Sequence, residues 1–253
     1  MILSSASIKK IANWGFLALL CCATSLCHAS KPDQLNIAVA ANFKPTLEVI
    51  KARYQIHHDV EINLINGSTG ALFAQIMHQA PFHIFFAADT ERPIALEKAD
   101  KTRNRQVYAY GRLVLFAPDR DNVSASELKS TDRIAIANPR HAPYGRAAVE
   151  VLAHFQMSGI KKIYGSNVAQ AFAFVKTGNV DWGMVALSQV LIDQQAEEHY
   201  MVIPLSLHQP IEQQLVVIKN APVSADDFVA YLATADIRAL IQKSGYLIPA
   251  APQ

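Results

Sequence analysis

The chain has 253 residues, a formal net charge of +2, 51% hydrophobic residues and three cysteines. Lys9 and Lys10 are the only charged residues before Ser30, so residues 30–253 carry 21 basic and 21 acidic side chains. A chain so balanced, without a basic stripe or tail, is not built for nucleic acid or an anionic membrane surface.

The first thirty residues read as an export signal. Lys9 and Lys10 form a basic start, Ile11 to Leu20 is mostly apolar, and Cys27-His28-Ala29 places small residues where signal peptidase reads, with cleavage after Ala29. The apolar run is short beside the roughly 20 residues of a membrane span. Cys21, Cys22 and Cys27 follow Leu20, Cys21 and Leu26, not the small residue of a lipoprotein signal. Cleavage removes all three cysteines, so the expected periplasmic protein has no disulfide, thiolate nucleophile or cysteine metal ligand.

Short apolar runs then alternate with amphipathic helical patterns. Strands are expected at Leu35 to Ala40, Val60 to Ile65, Ile84 to Ala88, Gly111 to Ala117, Arg133 to Ala137, Trp182 to Leu187, Met201 to Pro204 and Gln214 to Ile218. Leu47, Ile50 and Tyr54 recur at helical spacing, as do Ala148, Val151, Leu152 and Phe155, and Val168, Ala171, Phe172 and Val175. This alternation implies an α/β protein with parallel sheets covered on both faces. Tyr108 to Gly111 and Pro210 to Gln213 look like crossings between two lobes, so lobe I is expected over residues 30–109 plus 212–253 and lobe II over 110–211.

In open α/β sheets ligands sit beyond the carboxyl ends of strands, which directs attention to four helix-opening loops. Ala40-Ala41-Asn42-Phe43 offers the Asn42 amide as a donor or a helix cap. Ile65-Asn66-Gly67-Ser68-Thr69-Gly70 is a small hydroxyl-bearing turn that aims N–H groups and the Ser68 and Thr69 hydroxyls at one point, with a helix dipole behind them. In Asn138-Pro139-Arg140-His141-Ala142-Pro143-Tyr144-Gly145 two prolines stiffen the loop and fix the N–H groups of Tyr144 and Gly145. Gly165-Ser166-Asn167-Val168 opens a helix whose first N–H groups, Val168 included, lack intrahelical acceptors. Arg140 and His141 read as solvated loop residues, Asp89 as a cap for the next helix, and His57-His58 shows no metal-binding spacing.

Together these loops are similar to those of the periplasmic molybdate-binding proteins of ABC importers. The likeness runs over essentially all of residues 30–253, through Ala40-Ala41-Asn42, Gly67-Ser68-Thr69-Gly70, Ala80 to Asp89, Tyr110 to Val114, Ala135 to Gly145 and Val185 to Ser188. It implies a type II periplasmic-binding-protein fold: two lobes, each a mixed sheet flanked by helices, joined by two crossover strands around a ligand cleft. It places oxyanion contacts on Asn42, on Ser68 and Thr69, and on the backbone N–H groups of Tyr144 and Val168, with Ala41 and Ala186 as further positions. Because Tyr144 contributes through its backbone, its truncation to Ala is expected to matter little. The chain departs from the pattern at Ala186, where some members place a tyrosine hydroxyl, at Asn42, where others have serine, and at His83, where many have Asp.

The implied ligands, molybdate and tungstate, are fully deprotonated dianions that want donors only. About six hydrogen bonds to a charged group, at roughly 1.5–3 kcal/mol each, offset association costs of about 4–15 kcal/mol. Sulfate has the same charge, so discrimination rests on the longer Mo–O bond and a donor ring set wide. The expected protein needs no cofactor or free metal ion, is not an enzyme, works as a monomer, and delivers its oxyanion to a membrane permease. The alternatives are a binder of sulfate or an organic anion, and a periplasmic enzyme on the same fold, for which only Arg140 and His141 offer acid–base chemistry within these loops.

Overall fold

A computed structural model describes residues 33–249; the expected export segment lies outside them. Two five-stranded sheets organise the chain. The first half of the first lobe comprises β1 (Asp33–Ala40), α1 (Lys44–Tyr54), β2 (Val60–Gly67), α2 (Thr69–Met77), β3 (Ile84–Phe86), α3 (Glu91–Lys98) and β4 (Thr102–Gly111). The chain crosses at Arg112 into β5 (Leu113–Phe116), β6 (Arg133–Ala137), α4 (Pro143–His154), β7 (Lys161–Gly165), α5 (Val168–Lys176), β8 (Trp182–Ala186), α6 (Leu187–Ile192) and β9 (Tyr200–Val202). It returns through β10 (Ile211–Ile218) and closes with α7 (Val223–Leu232) and α8 (Ala235–Lys243). Among the described residues no helix is long and apolar enough to cross a membrane.

The sheet orders are β2-β1-β3-β10-β4 and β7-β6-β8-β5-β9. They are mixed, not wholly parallel as the strand–helix alternation alone implies. β1 runs parallel to β2 and β3, while β10 is antiparallel to β3 and β4. The second sheet repeats this, with β6 parallel to β7 and β8 but β5 antiparallel to β8 and β9. The cause is the crossing itself: a strand entering from the other lobe arrives from the opposite end and pairs head to tail.

Strands covered on both faces are apolar throughout. In β5, β6 and β8 every residue is buried except Arg133 at the start of β6. The second lobe has one core, around Phe116, Trp182, Met184, Val151 and Leu152. The first sheet has one on each face: Phe43, Leu47, Phe86 and Phe228 on one side, Leu72, Phe85 and Leu96 on the other. Local chemistry sets the helix starts that matter for the site. Pro45 and Pro143 lie in the first turns of α1 and α4, where a missing N–H costs nothing. Ser68 caps α2 by accepting from the Ala71 N–H, and Asn167 caps α5 by accepting from the Gln170 N–H.

Candidate functional site

These starts put four helix N-termini at the carboxyl ends of β1, β2, β6 and β7, two from each sheet. A small cavity lies between them, lined by Ala40 to Asn42, Gly67 to Thr69, Ala88, Ala142 to Tyr144, Asn167 and Val168. The structure thus brings together Asn42, Ser68, Thr69, Tyr144 and Val168, with Ala41 beside them. The centre of a water-sized sphere can move through only about 10 Å³ of this space. It suits one compact ion, not an extended organic acid. No Asp, Glu, Lys, Arg or His lines it.

What faces the cavity donates. Helix geometry leaves the first-turn N–H groups of Thr69, Tyr144 and Val168 without intrahelical acceptors. Among the described residues neither they nor the Asn42 N–H meet a backbone acceptor elsewhere. The Ala41 N–H is already taken, donating to Gly67 O at 3.0 Å. Ser68 Oγ accepts from the Ala71 N–H at 3.3 Å, and Thr69 Oγ1 accepts from the Ala88 N–H at 3.1 Å. A hydroxyl has one proton, and with their acceptor side held by the protein both keep that proton for a ligand. Orphaned N–H groups, two hydroxyl protons and converging helix dipoles make a site for an anion without protons of its own.

Four expectations change. The Asn42 amide does not serve the cavity: its Nδ2 donates to Gln213 Oε1 at 2.9 Å and to Tyr246 OH at 3.2 Å, so only the backbone N–H remains for a ligand. The cap of α1 is Phe43, not Asn42. Ala186 does not line the cavity either; its N–H donates to Gln189 Oε1 at 3.1 Å at the start of α6. The Tyr144 side chain is far from dispensable. It is 2% exposed, and its hydroxyl accepts from Gln213 Nε2 at 3.3 Å and from Asn42 Nδ2 at 3.5 Å.

Sequence reasoning missed the polar group beneath the cavity. Besides Asn42 and Tyr144 it contains Gln213 on β10, Tyr108 on β4, Ser188 on α6 and Tyr246. Tyr108 OH donates to Gln213 Oε1 at 2.7 Å; Tyr246 OH donates to Asn42 O at 2.8 Å, and Ser188 Oγ donates to the same carbonyl at 3.2 Å. Burial pushes the hydroxyls of Tyr108, Tyr144 and Tyr246 above their usual range, so all three stay protonated at ordinary pH. The one sequence signal was the Gln213-Gln214 pair leading into the apolar run Leu215 to Ile218 of one strand, since buried glutamine needs partners.

The remaining charged candidates stand outside the cavity. Arg140 and His141 are exposed. Asp89, 7% exposed, pairs with Arg92 of its own lobe and, at 3.3 Å, with Arg146 on α4 across the cleft. Its Oδ1 also accepts from the Arg92 N–H at 3.2 Å, the helix-start role read from sequence. Asp89, Glu91, Glu150 and Glu212 instead border a separate recess of about 320 Å³ with Arg146. His58 stacks on Tyr54, ring centres 3.8 Å apart.

The lobes also touch through backbone. The Gly70 N–H donates to His141 O at 2.9 Å, and a Cβ on Gly70 would stand 3.1 Å from both the Cα and the O of His141. Gly70→Ala therefore strains mainly the form in which the lobes touch, since its other close neighbour, Arg92 Nη2 at 3.2 Å in the same lobe, is the far end of a flexible side chain that can shift. Its expected cost is about 1 kcal/mol, the low end of overpacking. Titration should show ligand affinity falling about fivefold while the melting temperature of the unliganded protein stays at the wild-type value.

The family of bacterial extracellular solute-binding proteins matches residues 35–247. The molybdate-binding protein ModA of Azotobacter vinelandii is 36% identical over 234 residues, covering 87% of this chain and 92% of the relative. ModA of Rhodobacter capsulatus is 34% identical over 220 residues, covering 83% and 86%. Among solved structures, the periplasmic molybdate-binding protein of Azotobacter vinelandii superposes with a TM-score of 0.78 at 30% identity, covering 85% of this chain and 99% of that one.

Proposed function

The chain belongs to the family of bacterial extracellular solute-binding proteins, and on that premise we propose that it captures a tetrahedral oxyanion, molybdate and also tungstate, between its lobes and delivers it to the permease of an ABC importer. The observation that carries the choice of ligand is a cavity sized for one compact ion and lined by unpaired N–H groups and two hydroxyls, with no carboxylate in its lining. A carboxylate or other acceptor facing inward would repel a dianion, and a phosphate with its proton would need one. The relatives named for molybdate support the same reading.

In this reading the Ser68 and Thr69 hydroxyls and the N–H groups of Asn42, Thr69, Tyr144 and Val168 hold the four oxygens. Two loops come from each lobe, so the ion completes its contacts only when the lobes close, and its binding free energy favours the closed form. On this reading the protein binds without catalysis: no carboxylate, imidazole or amine lines the cavity to activate the Ser68 or Thr69 hydroxyl. Residues 1–29 act as a cleaved export segment, consistent with the periplasmic relative, and the exported chain works as a monomer without a resident cofactor or free cation.

Isothermal titration of residues 30–253 with molybdate, tungstate and sulfate tests this. Tight one-to-one binding of the first two, with sulfate weak, is the expected result; silence from molybdate and tungstate overturns it. The same titration should be flat, within about twofold, from about pH 6 to pH 9, because amides and hydroxyls do not titrate there. A steep pH slope would mean that an ionisable side chain holds the ligand.

A further inference from the structure

The two backbone donors contributed by Asn42 and Tyr144 come from opposite lobes, and the side chains of the same two residues meet at one carboxamide. Gln213 lies on the returning crossover strand, is 0% exposed, and pairs with Ala109 of the outgoing crossover strand β4. Its Oε1 accepts from Asn42 Nδ2 at 2.9 Å and from Tyr108 OH at 2.7 Å; its Nε2 donates to Tyr144 OH at 3.3 Å. The register of β10 against β4 shifts between Gln213 and Gln214, and both glutamines are buried. Room for the junction comes from Gly111, where a Cβ would stand 2.3 Å from Tyr144 OH and 2.7 Å from Gln213 Nε2.

We infer that Gln213 is a positioning residue for ligand selection: by tying Asn42 to Tyr144 it fixes the gap between their N–H groups, and so the size of tetrahedral anion that the closed cavity accepts. Gln213 is not among the cavity-lining residues. It acts on the ligand through the two loops it joins. With the carboxamide in place the ring cannot contract onto a smaller anion; without it the Asn42 and Tyr144 side chains keep only their direct 3.5 Å bond, and the loosened ring can tighten around sulfate. The inference rests on the proposed oxyanion reading and adds to it the residue that sets the size filter.

The test is the ratio of molybdate to sulfate affinity, measured by titration on residues 30–253 of wild type, Gln213→Leu, Gln213→Glu and Tyr144→Phe. Leu removes every hydrogen bond that the Gln213 side chain makes and leaves only the long 3.5 Å bond from Asn42 Nδ2 to Tyr144 OH between those two side chains. Its ratio should fall about tenfold, the scale of one buried hydrogen bond, mainly because sulfate binds better. Glu keeps the acceptor for Asn42 and Tyr108 and can accept from the Tyr144 hydroxyl. Its negative charge weakens both dianions together, so the ratio should stay within about twofold of wild type, since equal charges are repelled equally. Tyr144→Phe cuts the cross-lobe link while keeping the ring packed, and its ratio should move as that of Leu does, even if Gln213→Leu fails to fold. A role confined to stability would lower both affinities alike and leave the ratio unchanged in Leu and Phe; that result overturns the inference. Failure of the ligand reading looks different: a wild type that prefers sulfate overturns molybdate as ligand while the variant ratios still decide the role of Gln213, and a wild type silent to both anions overturns the two together.

Discussion

Replacing Ser68 and Thr69 together with Ala is expected to weaken molybdate binding by a factor on the order of 10² to 10⁴. In the proposed site each hydroxyl would donate one hydrogen bond to a dianion, at roughly 1.5–3 kcal/mol, and the two would sum to about 3–6 kcal/mol. Both oxygens also have internal work, which must be separated from binding. Ser68 Oγ caps α2 through the Ala71 N–H, a role whose loss costs about 0.5–2 kcal/mol of stability. Thr69 Oγ1 accepts from the Ala88 N–H, which loses that partner in the variant at about 1–3 kcal/mol. The exchange Ser68→Thr with Thr69→Ser keeps both hydroxyls and should hold affinity within about tenfold, the scale of one such bond. Titration beside a thermal melt distinguishes the cases. A folded double-Ala protein that binds molybdate as wild type does would remove these hydroxyls from the site.

Tyr144→Ala should be among the most destabilising single changes in the second lobe, against the expectation drawn from its backbone role alone. Truncating a buried aromatic costs about 3–5 kcal/mol. Here the loss also strips Gln213 Nε2 of its acceptor at 3.3 Å, in a residue that is fully buried. Set against a total stability of about 5–15 kcal/mol, this is a large share. At about 2–4 °C per kcal/mol for a chain of this size, melting should fall by about 6–20 °C. Tyr144→Phe keeps the ring and should cost about 1–3 kcal/mol, the penalty for one unpaired buried donor. Its molybdate affinity should stay within about tenfold of wild type, because the backbone N–H is unchanged. A Tyr144→Ala protein as stable as wild type would show that the hydroxyl network carries no weight.

The legible parts of the fold were those where physics acts locally. β5, β8 and β6 after Arg133 are buried on both faces and therefore apolar without interruption, as is the end of β1 from Ile37 to Ala40, and each strand was placed from sequence to within two residues. Edge strands divided: β2 and β9 were placed from sequence, β7 and most of β4 were not. β7, Lys-Lys-Ile-Tyr-Gly, has one neighbour and an exposed face, so it carries no apolar run and went unread. Most of β4 was missed for the same reason: Thr102 to Gln106 lie at the sheet edge with charged side chains in solvent. The site divides similarly. The Ser68 and Thr69 turn and the openings of α4 and α5 follow from helix-start chemistry, which is written within five or six residues. The direction of the Asn42 amide is set by Gln213 and Tyr246, 171 and 204 residues away, and no short pattern holds that information.

The place of β10 in the first sheet also constrains how the protein can assemble. Among the described residues β4 has β10 as its one neighbouring strand, apart from an isolated bridge between Tyr110 and Leu247, and β10 separates it from β3. Until residues 211–218 are available, β4 is an unpaired ribbon and β3, with Ile84, Phe85 and Phe86, presents a bare apolar edge. The second sheet draws its strands from the unbroken stretch 113–202 and waits for nothing beyond it. The later lobe in sequence is thus free to condense first, and the earlier one is completed last, by a strand threaded back between two others. Slow pairing of this kind, over about a hundred residues of separation, leaves open edges that invite intermolecular association. A chain that stalls or is cut short before Ile211 should therefore retain an ordered second lobe yet aggregate through the first.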